Sequence, residues 1–249
     1  MRVLTYLPEY FSRYGRREPA GQLDTIFAFA NGDPSLTVWE HMHRDAGRKR
    51  AFMEAMSTFA ASMGGMDAYD LSWVVEAGAR EPDRTLVVDV GGGKGHEIGA
   101  MKRHAPGLDV GRCVVEDLPE VVEEARAEAR GELRRAAFVA ADFHAEQPVR
   151  GALLYHIRRC LHDYGDDDCV GILAMIRGAM LPDSRLLVVE KVIGNPPSAL
   201  DAASDLYMAV LGGKERTLEG FRAITGRAGL EVKGVYTNGA ISVVECVPV

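Results

Sequence analysis

Residues 86–96 read LVVDVGGGKGH, and this stretch decides the fold class. Its first five residues are apolar except for one aspartate and rich in β-branched side chains, which is typical of a strand buried on both faces of a parallel sheet. The glycines that follow allow a tight turn and a close approach of the backbone to a ligand. A helical stretch then runs to about His104, so the turn opens a helix whose free N–H groups can bind that ligand.

Short apolar runs alternate with longer amphipathic ones beyond this stretch. We predict strands at 113–115, 137–140, 152–155 and 185–190, and helices from about 119 and over 167–180. Repeated strand–helix–strand units predict an α/β fold, a doubly wound parallel sheet flanked by helices. Two further alternating runs, 230–236 and 241–246, flank Asn238-Gly239 and predict an antiparallel hairpin at the end of the chain.

Residues 1–80 differ from the rest, because they show no strand periodicity. They hold scattered aromatic side chains and two helical stretches, at 48–63 and 67–79. We expect residues 1–80 to form a helical cover, and residues 81–249 to form the ligand-binding domain.

The composition excludes several classes of protein. The chain has 249 residues, 47% of them hydrophobic, and a net charge of −7, which argues against a nucleic-acid-binding surface. No apolar run is long enough to span a bilayer and the N-terminus lacks the core of a signal peptide, so we expect a cytoplasmic protein without a membrane partner. The four cysteines form no CxxC pair, which favours reduced thiols over zinc or disulfides.

The glycine spacing discriminates between cofactors. A nicotinamide or flavin fingerprint would have its third glycine at position 96, where this chain has His96; glycine falls one place early, at Gly95. The form D-x-G-x-G-x-G, from Asp89 to Gly95, is the one that class I methyltransferases use.

Acidic residues follow the next two strands. Glu116 and Asp117 end the second, about 20 residues past the loop, where a carboxylate can accept both ribose hydroxyls. Asp142 follows the third strand, where its side chain could reach an adenine amine. Because the carboxyl ends of parallel strands share one sheet edge, these acids predict a nucleoside site beside the glycine loop.

His162 follows the predicted fourth strand and is the candidate general base. A neutral imidazole there can take the proton of a phenol as its oxygen attacks a methyl group. Either Glu190, at the end of the fifth strand, or Glu215 could orient the ring. Three consecutive aspartates at 166–168 are also compatible with a metal site. They precede a predicted helix, however, and the positive end of a helix dipole stabilises acidic side chains there.

Six motifs resemble those of the plant and fungal small-molecule O-methyltransferases, most closely the fungal branch, in order and in spacing. They are VVDVGGGKGH (87–96), EDLPEVV (116–122), AADF (140–143), RRCLHDYGDDDC (158–169), GGKERT (212–217) and GAISVVEC (239–246). The resemblance covers roughly residues 85–249. It implies a seven-stranded Rossmann-like methyltransferase sheet, S-adenosylmethionine as cofactor, no metal, and a small-molecule acceptor with a phenolic or enolic hydroxyl.

The resemblance also implies roles for single residues. His162 matches the general base, flanked by Glu190 and Glu215, and Asp117 rather than Glu116 is expected to take the ribose. The cofactor is expected to lie among Asp89, Gly91, Gly93, Glu116, Asp117, Asp142, Phe143 and Arg158.

The start of the chain departs from the family pattern. Members of the family carry an N-terminal winged-helix domain that forms a domain-swapped homodimer and closes the acceptor pocket. Residues 7–15 and 29–32 resemble the segment after that domain, so we expect the domain to be missing, which puts the homodimer and catalysis in doubt.

Three other functions compete with methyl transfer. A fungal relative of this kind can use the bound cofactor to steer a dehydration or a pericyclic reaction. A catalytically silent binding protein is the second alternative. A nicotinamide-dependent reductase ranks last, because the glycine spacing and the terminal hairpin both disagree with it.

Overall fold

The computed structural model describes residues 2–17, 21–52, 54 and 66–249, so most of the helical stretch predicted at 48–63 lies outside the described residues. The chain divides into two units. The helical unit comprises the described residues of Met1–Met63, Leu161–Cys169 and Val192–Gly220. The sheet unit comprises those of Gly64–Cys160, Val170–Lys191 and Phe221–Val249.

The strands are numbered in chain order. They are β1 (Val87–Val90), β2 (Cys113–Asp117), β3 (Ala137–Ala140), β4 (Leu154–Arg158), β5 (Arg185–Glu190), β6 (Val192–Ile193), β7 (Arg216–Thr217), β8 (Leu230–Asn238) and β9 (Ile241–Pro248). Seven of them form one sheet in the order β3-β2-β1-β4-β5-β9-β8, and β6 pairs with β7 in the helical unit.

This sheet confirms the predicted fold class. Strands β1 to β5 are parallel, and β9 runs antiparallel between β5 and β8. All four residues of β1 are buried, as the continuous apolar run predicts. The hairpin closes at Asn238 opposite Ile241, and the turn contains Gly239 with φ +68°. That left-handed conformation suits glycine.

The fourth strand differs from its predicted bounds. It begins at Leu154, which pairs with Val87 of β1, and it continues to Arg158. Ala152 lies before the strand, because its N–H donates to the Tyr155 hydroxyl at 3.3 Å instead of to a neighbouring strand. Arg158 therefore ends a strand at the same sheet edge as the glycine loop.

The helices are also numbered in chain order. They are α1 (Leu7–Tyr14), α2 (Ile26–Ala30), α3 (Val38–His43), α4 (Ser72–Arg80), α5 (His96–His104), α6 (Pro119–Glu128), α7 (Asp166–Ala179), α8 (Ala199–Leu211) and α9 (Leu218–Arg227). Proline at the first position of α6 and the basic last turn of α5 (residues 102–104) suit those helix ends.

The core of the helical unit joins helices that are distant in sequence. Tyr10 of α1, Ile26 of α2 and Val210 of α8 are buried against one another. Thr25 begins α2 by accepting a hydrogen bond from the N–H of Ala28 at 3.1 Å, which satisfies one of the free donors of that helix. Aromatic side chains of α1 and α2 pack around this cluster.

Candidate functional site

The glycine loop lies where the sheet changes direction. Strand β1 has β2 on one side and β4 on the other, so consecutive connections run to opposite sides of β1. Ligands of open α/β sheets bind at such a switch point, beyond the carboxyl ends of the strands. Gly91 and Gly93 have φ of +65° and +55°, and a Cβ on Gly93 would meet nothing within 4 Å. The loop therefore needs glycine for its conformation, and at Gly93 it faces open space.

Asp117 is tied to this loop. One carboxylate oxygen accepts the N–H of Gly93 at 2.8 Å, and the other accepts the N–H of Leu118 at 2.8 Å. Burial raises the pKa of Asp117, while these two N–H donors oppose the rise. A carboxylate has more acceptor sites than these two bonds use, so Asp117 can also accept from a ligand.

Glu116 has different surroundings. Its side chain is 2% exposed, and both oxygens accept from Nε2 of Gln147, at 2.9 and 2.7 Å. Burial raises its pKa to about 7. Both acids that end β2 contact the glycine loop, but in different ways: Asp117 does so through its carboxylate, whereas Glu116 accepts the N–H of Gly92 at 2.9 Å through its backbone carbonyl.

Two predicted residues follow β3. Asp142 is exposed, and its Oδ1 accepts the N–H of His144 at 2.9 Å. The ring of Phe143 lies beside the glycine loop, since a Cβ on Gly91 would be 3.3 Å from its Cε1. The structure thus brings Phe143 to the loop and leaves the Asp142 carboxylate open to solvent.

Arg158 forms an ion pair that the sequence did not predict. Its guanidinium donates to Oε1 of Glu97, in the first turn of α5, directly after the glycine loop. The second oxygen of Glu97 is enclosed and has no hydrogen-bond partner among the described residues. An acid in the first turn of a helix is favoured by the dipole, so the position alone gave no signal of a functional role.

Asp89 pairs with a histidine that the sequence analysis did not single out. Its Oδ1 lies 2.7 Å from Nδ1 of His156, and the two side chains are 2% and 0% exposed. In the described part of the chain, the other carboxylate oxygen has no partner. It lies next to Gly92, where a Cβ would be 2.6 Å from it. Asp89 therefore supports the loop from within the sheet unit.

The helical unit holds the candidate base. His162 is buried, and its Nδ1 lies 3.9 Å from Oε1 of Glu215. That oxygen also accepts from the Ser204 hydroxyl at 2.9 Å, which fixes the carboxylate. The N–H of Lys214 donates to the carbonyl of His162 at 2.9 Å. A Cβ on Gly213 would overlap the same carbonyl oxygen, so glycine is required for this close approach.

Glu190 lies in the sheet unit. It is the last residue of β5, is 1% exposed, and pairs across the sheet with Ser242. Of the two acids predicted to flank His162, Glu215 is the one that belongs to the same unit as the histidine.

The aspartate run begins α7, as its helix-dipole interpretation predicts. Asp166 accepts from Arg216 and Lys214, each at 2.9 Å. Burial alone would raise the pKa of Asp166, but the hydrogen bonds from these two cations outweigh it and lower the pKa. No cluster of three or more His, Cys, Asp or Glu side chains suited to a metal is found among the described residues. None of their helices combines the length and hydrophobicity that crossing a bilayer requires.

A comparison with known proteins identifies the family. The model of the O-methyltransferase domain family matches residues 15–231, so the chain belongs to that family, which depends on S-adenosylmethionine. It is 36% identical over 244 residues to the methyltransferase fsa4 of Fusarium sp. (strain FN080326), an alignment that covers 97% of this chain and 68% of fsa4. The predicted resemblance is confirmed.

Solved structures agree with the fold. The structure of OxaC in complex with SAH and oxaline has a TM-score of 0.88 and 25% identity, and covers 100% of this chain and 63% of OxaC. A structure described as a pericyclic reaction enzyme has a TM-score of 0.85, 23% identity, and coverage of 100% and 64%; this likeness concerns the fold alone. The chain spans about two thirds of the length of these proteins.

Proposed function

We propose that the chain catalyses transfer of the methyl group of S-adenosylmethionine to a phenolic or enolic hydroxyl of a small molecule. The observation that carries the proposal is the bond between Asp117 and the N–H of Gly93, at the switch point of the sheet. This bond joins the acid expected to take the ribose to the loop expected to take the amino-acid part of the cofactor.

The residues at this edge suit each part of the cofactor. Asp117 would hold the ribose hydroxyls, and Phe143 would offer its ring to the adenine, with the open carboxylate of Asp142 for the adenine amine. The enclosed second oxygen of Glu97 lacks a donor among the described residues, which the ammonium of the cofactor would supply. Arg158 would pair with the cofactor's carboxylate. When bound, the cofactor supplies an electrophilic methyl group on a positively charged sulfur.

His162 would act as the general base. Both ring nitrogens face a carboxylate: Nδ1 lies 3.9 Å from Glu215, and Nε2 lies 3.6 Å from Asp163. Glu215 would stabilise the imidazolium that forms, and Ser204 would hold that carboxylate in place. A general base of this kind contributes about 10²- to 10⁴-fold to the rate.

Family membership and a base suited to a hydroxyl support oxygen as the methylated atom. Two of the related structures, OxaC in complex with oxaline and with meleagrin, hold small organic molecules. This supports a small-molecule acceptor for the present chain as well.

The test is a methylation assay with S-adenosylmethionine and a panel of phenols and enols, detecting both S-adenosylhomocysteine and the methylated product. We expect His162→Gln to lower kcat by about 10²- to 10⁴-fold while the affinity for S-adenosylhomocysteine stays unchanged. The control is His43→Gln, because His43 is exposed on α3. Product that forms without consumption of the cofactor would reject methyl transfer and indicate a dehydration or pericyclic reaction.

A further inference from the structure

The helical unit contains a cavity of about 950 Å³. Its walls come from α1, the start of α2, α8 and the loop after α8. Most of the wall is apolar, including Leu7, Phe11, Ile26, Leu206 and Ala209. A volume of this size accommodates a drug-sized molecule, and small-molecule sites are typically apolar with a few charged or polar groups.

The charged residues of the cavity are mainly cationic. Arg16 and Arg17 line it just beyond the end of α1, and Lys214 lines it from the loop after α8. Lys214 is already bound to Asp166 at 2.9 Å. Among the residues that the structure describes, neither arginine forms an ion pair, and both arginines are exposed.

Asp205 also lines the cavity, and a hydrogen bond holds its carboxylate in place. Oδ1 of Asp205 accepts the backbone N–H of Glu215 at 2.9 Å. Glu215 is the residue whose carboxylate lies 3.9 Å from Nδ1 of His162. The neighbouring Lys214 donates its N–H to the carbonyl of His162. Two of the lining residues are therefore bonded directly to the candidate base or to its carboxylate partner.

We infer that this cavity binds the methyl acceptor and selects molecules that combine an apolar body with one anionic group, a carboxylate or an ionised enol. The inference rests on the proposed function, because it identifies the occupant as the substrate of His162. The anionic group pairs with Arg16 and Arg17, and the apolar body lies on Phe11 and Leu206. Guanidinium groups suit this role, because they bind planar oxyanions through two parallel hydrogen bonds.

The test uses two probes of the same shape, 2-naphthoate and its neutral amide 2-naphthamide, titrated calorimetrically into the whole chain. We expect the naphthoate to bind about fivefold more tightly, a modest factor because the arginines are exposed. The double variant Arg16→Gln/Arg17→Gln should abolish this preference. The control is Arg13→Gln in the last turn of α1, because the guanidinium of Arg13 lies over the rings of Tyr14 and Phe29 and does not line the cavity.

A second variant locates the probes. Leu206→Trp fills the cavity from an exposed position of α8 and should weaken both probes. Equal affinities for the two probes, or binding that is unchanged in Leu206→Trp, would overturn the inference.

Titration with S-adenosylhomocysteine separates the two proposals. If it binds while the naphthoate preference is absent, the selectivity inferred here is wrong and the methyltransferase proposal stands. If the preference is present and S-adenosylhomocysteine does not bind, the proposed function fails, and the assignment of the cavity to a methyl acceptor fails with it.

Discussion

Replacing His156 by leucine tests how the sheet unit supports its glycine loop. In the native chain Nδ1 of His156 lies 2.7 Å from Asp89, and both side chains are fully enclosed. Leucine provides no hydrogen-bond donor, so the Asp89 carboxyl group stays buried without the partner that it has in the native chain. Leaving a buried carboxyl group without its partner costs about 3–5 kcal/mol.

This cost is large for a protein of this size. Total free energies of unfolding are about 5–15 kcal/mol, and a chain of 150–250 residues loses about 2–4 °C of melting temperature per kcal/mol. We therefore expect His156→Leu to melt roughly 6–20 °C below the native chain. Adding Asp89→Asn removes the buried carboxyl group and should recover at least about 1 kcal/mol.

The assay is urea unfolding of the four chains of this double-mutant cycle, followed by circular dichroism at pH 7. His144→Leu is the control, because His144 is exposed and lies in the same sheet unit, in the loop after β3. A loss below about 1 kcal/mol in His156→Leu, or no recovery in the double variant, would refute the reasoning that the buried Asp89 depends on His156 as its partner.

Three further predictions concern the acids of the sheet unit. Glu97→Gln should weaken S-adenosylhomocysteine about tenfold but leave 5′-methylthioadenosine, which lacks the amino-acid part, unchanged in calorimetry; an equal loss for both ligands would contradict the ammonium role. Asp117→Asn should weaken both ligands about 10- to 100-fold, since both contain the ribose, and unchanged affinities would reject that site. Glu116 has its pKa raised by burial to about 7 from 4.5, so its proton is held more tightly in the folded chain and stability falls as the pH rises from 4.5 to 7. Glu116→Gln should flatten this dependence in urea unfolding by up to about 3 kcal/mol; identical pH profiles would show that Glu116 does not titrate there.

The fold was predictable because its signals are local. The continuous apolar run of β1 and the turn residues at 238–239 each act within a few residues, and both predicted elements are present. The predicted start of β4 was wrong because Ala152, Leu153 and Leu154 form one continuous apolar run, which does not show where pairing begins. Which of them pairs depends on the register with Val87, and that register is a tertiary property.

The candidate site was predictable only in part, because several of its contacts join residues that are far apart in the sequence. Sequence spacing pointed to Glu116 and Asp117 beside the glycine loop, and the family resemblance favoured Asp117. The structure joins the Asp117 carboxylate to the loop through Gly93. The roles of His156 and Glu97 were not predicted, because each depends on a partner about 60–70 positions away, Asp89 and Arg158 respectively. Such pairs follow from the order of β1 and β4 in the sheet, which no local pattern encodes.

The most direct test of the account is calorimetric titration of the folded chain with S-adenosylhomocysteine, with NADH as a parallel control. The account predicts one saturable site for S-adenosylhomocysteine, weakened in Asp117→Asn, and no binding of NADH. Binding of NADH, or no binding of S-adenosylhomocysteine to a chain that unfolds cooperatively, would contradict it.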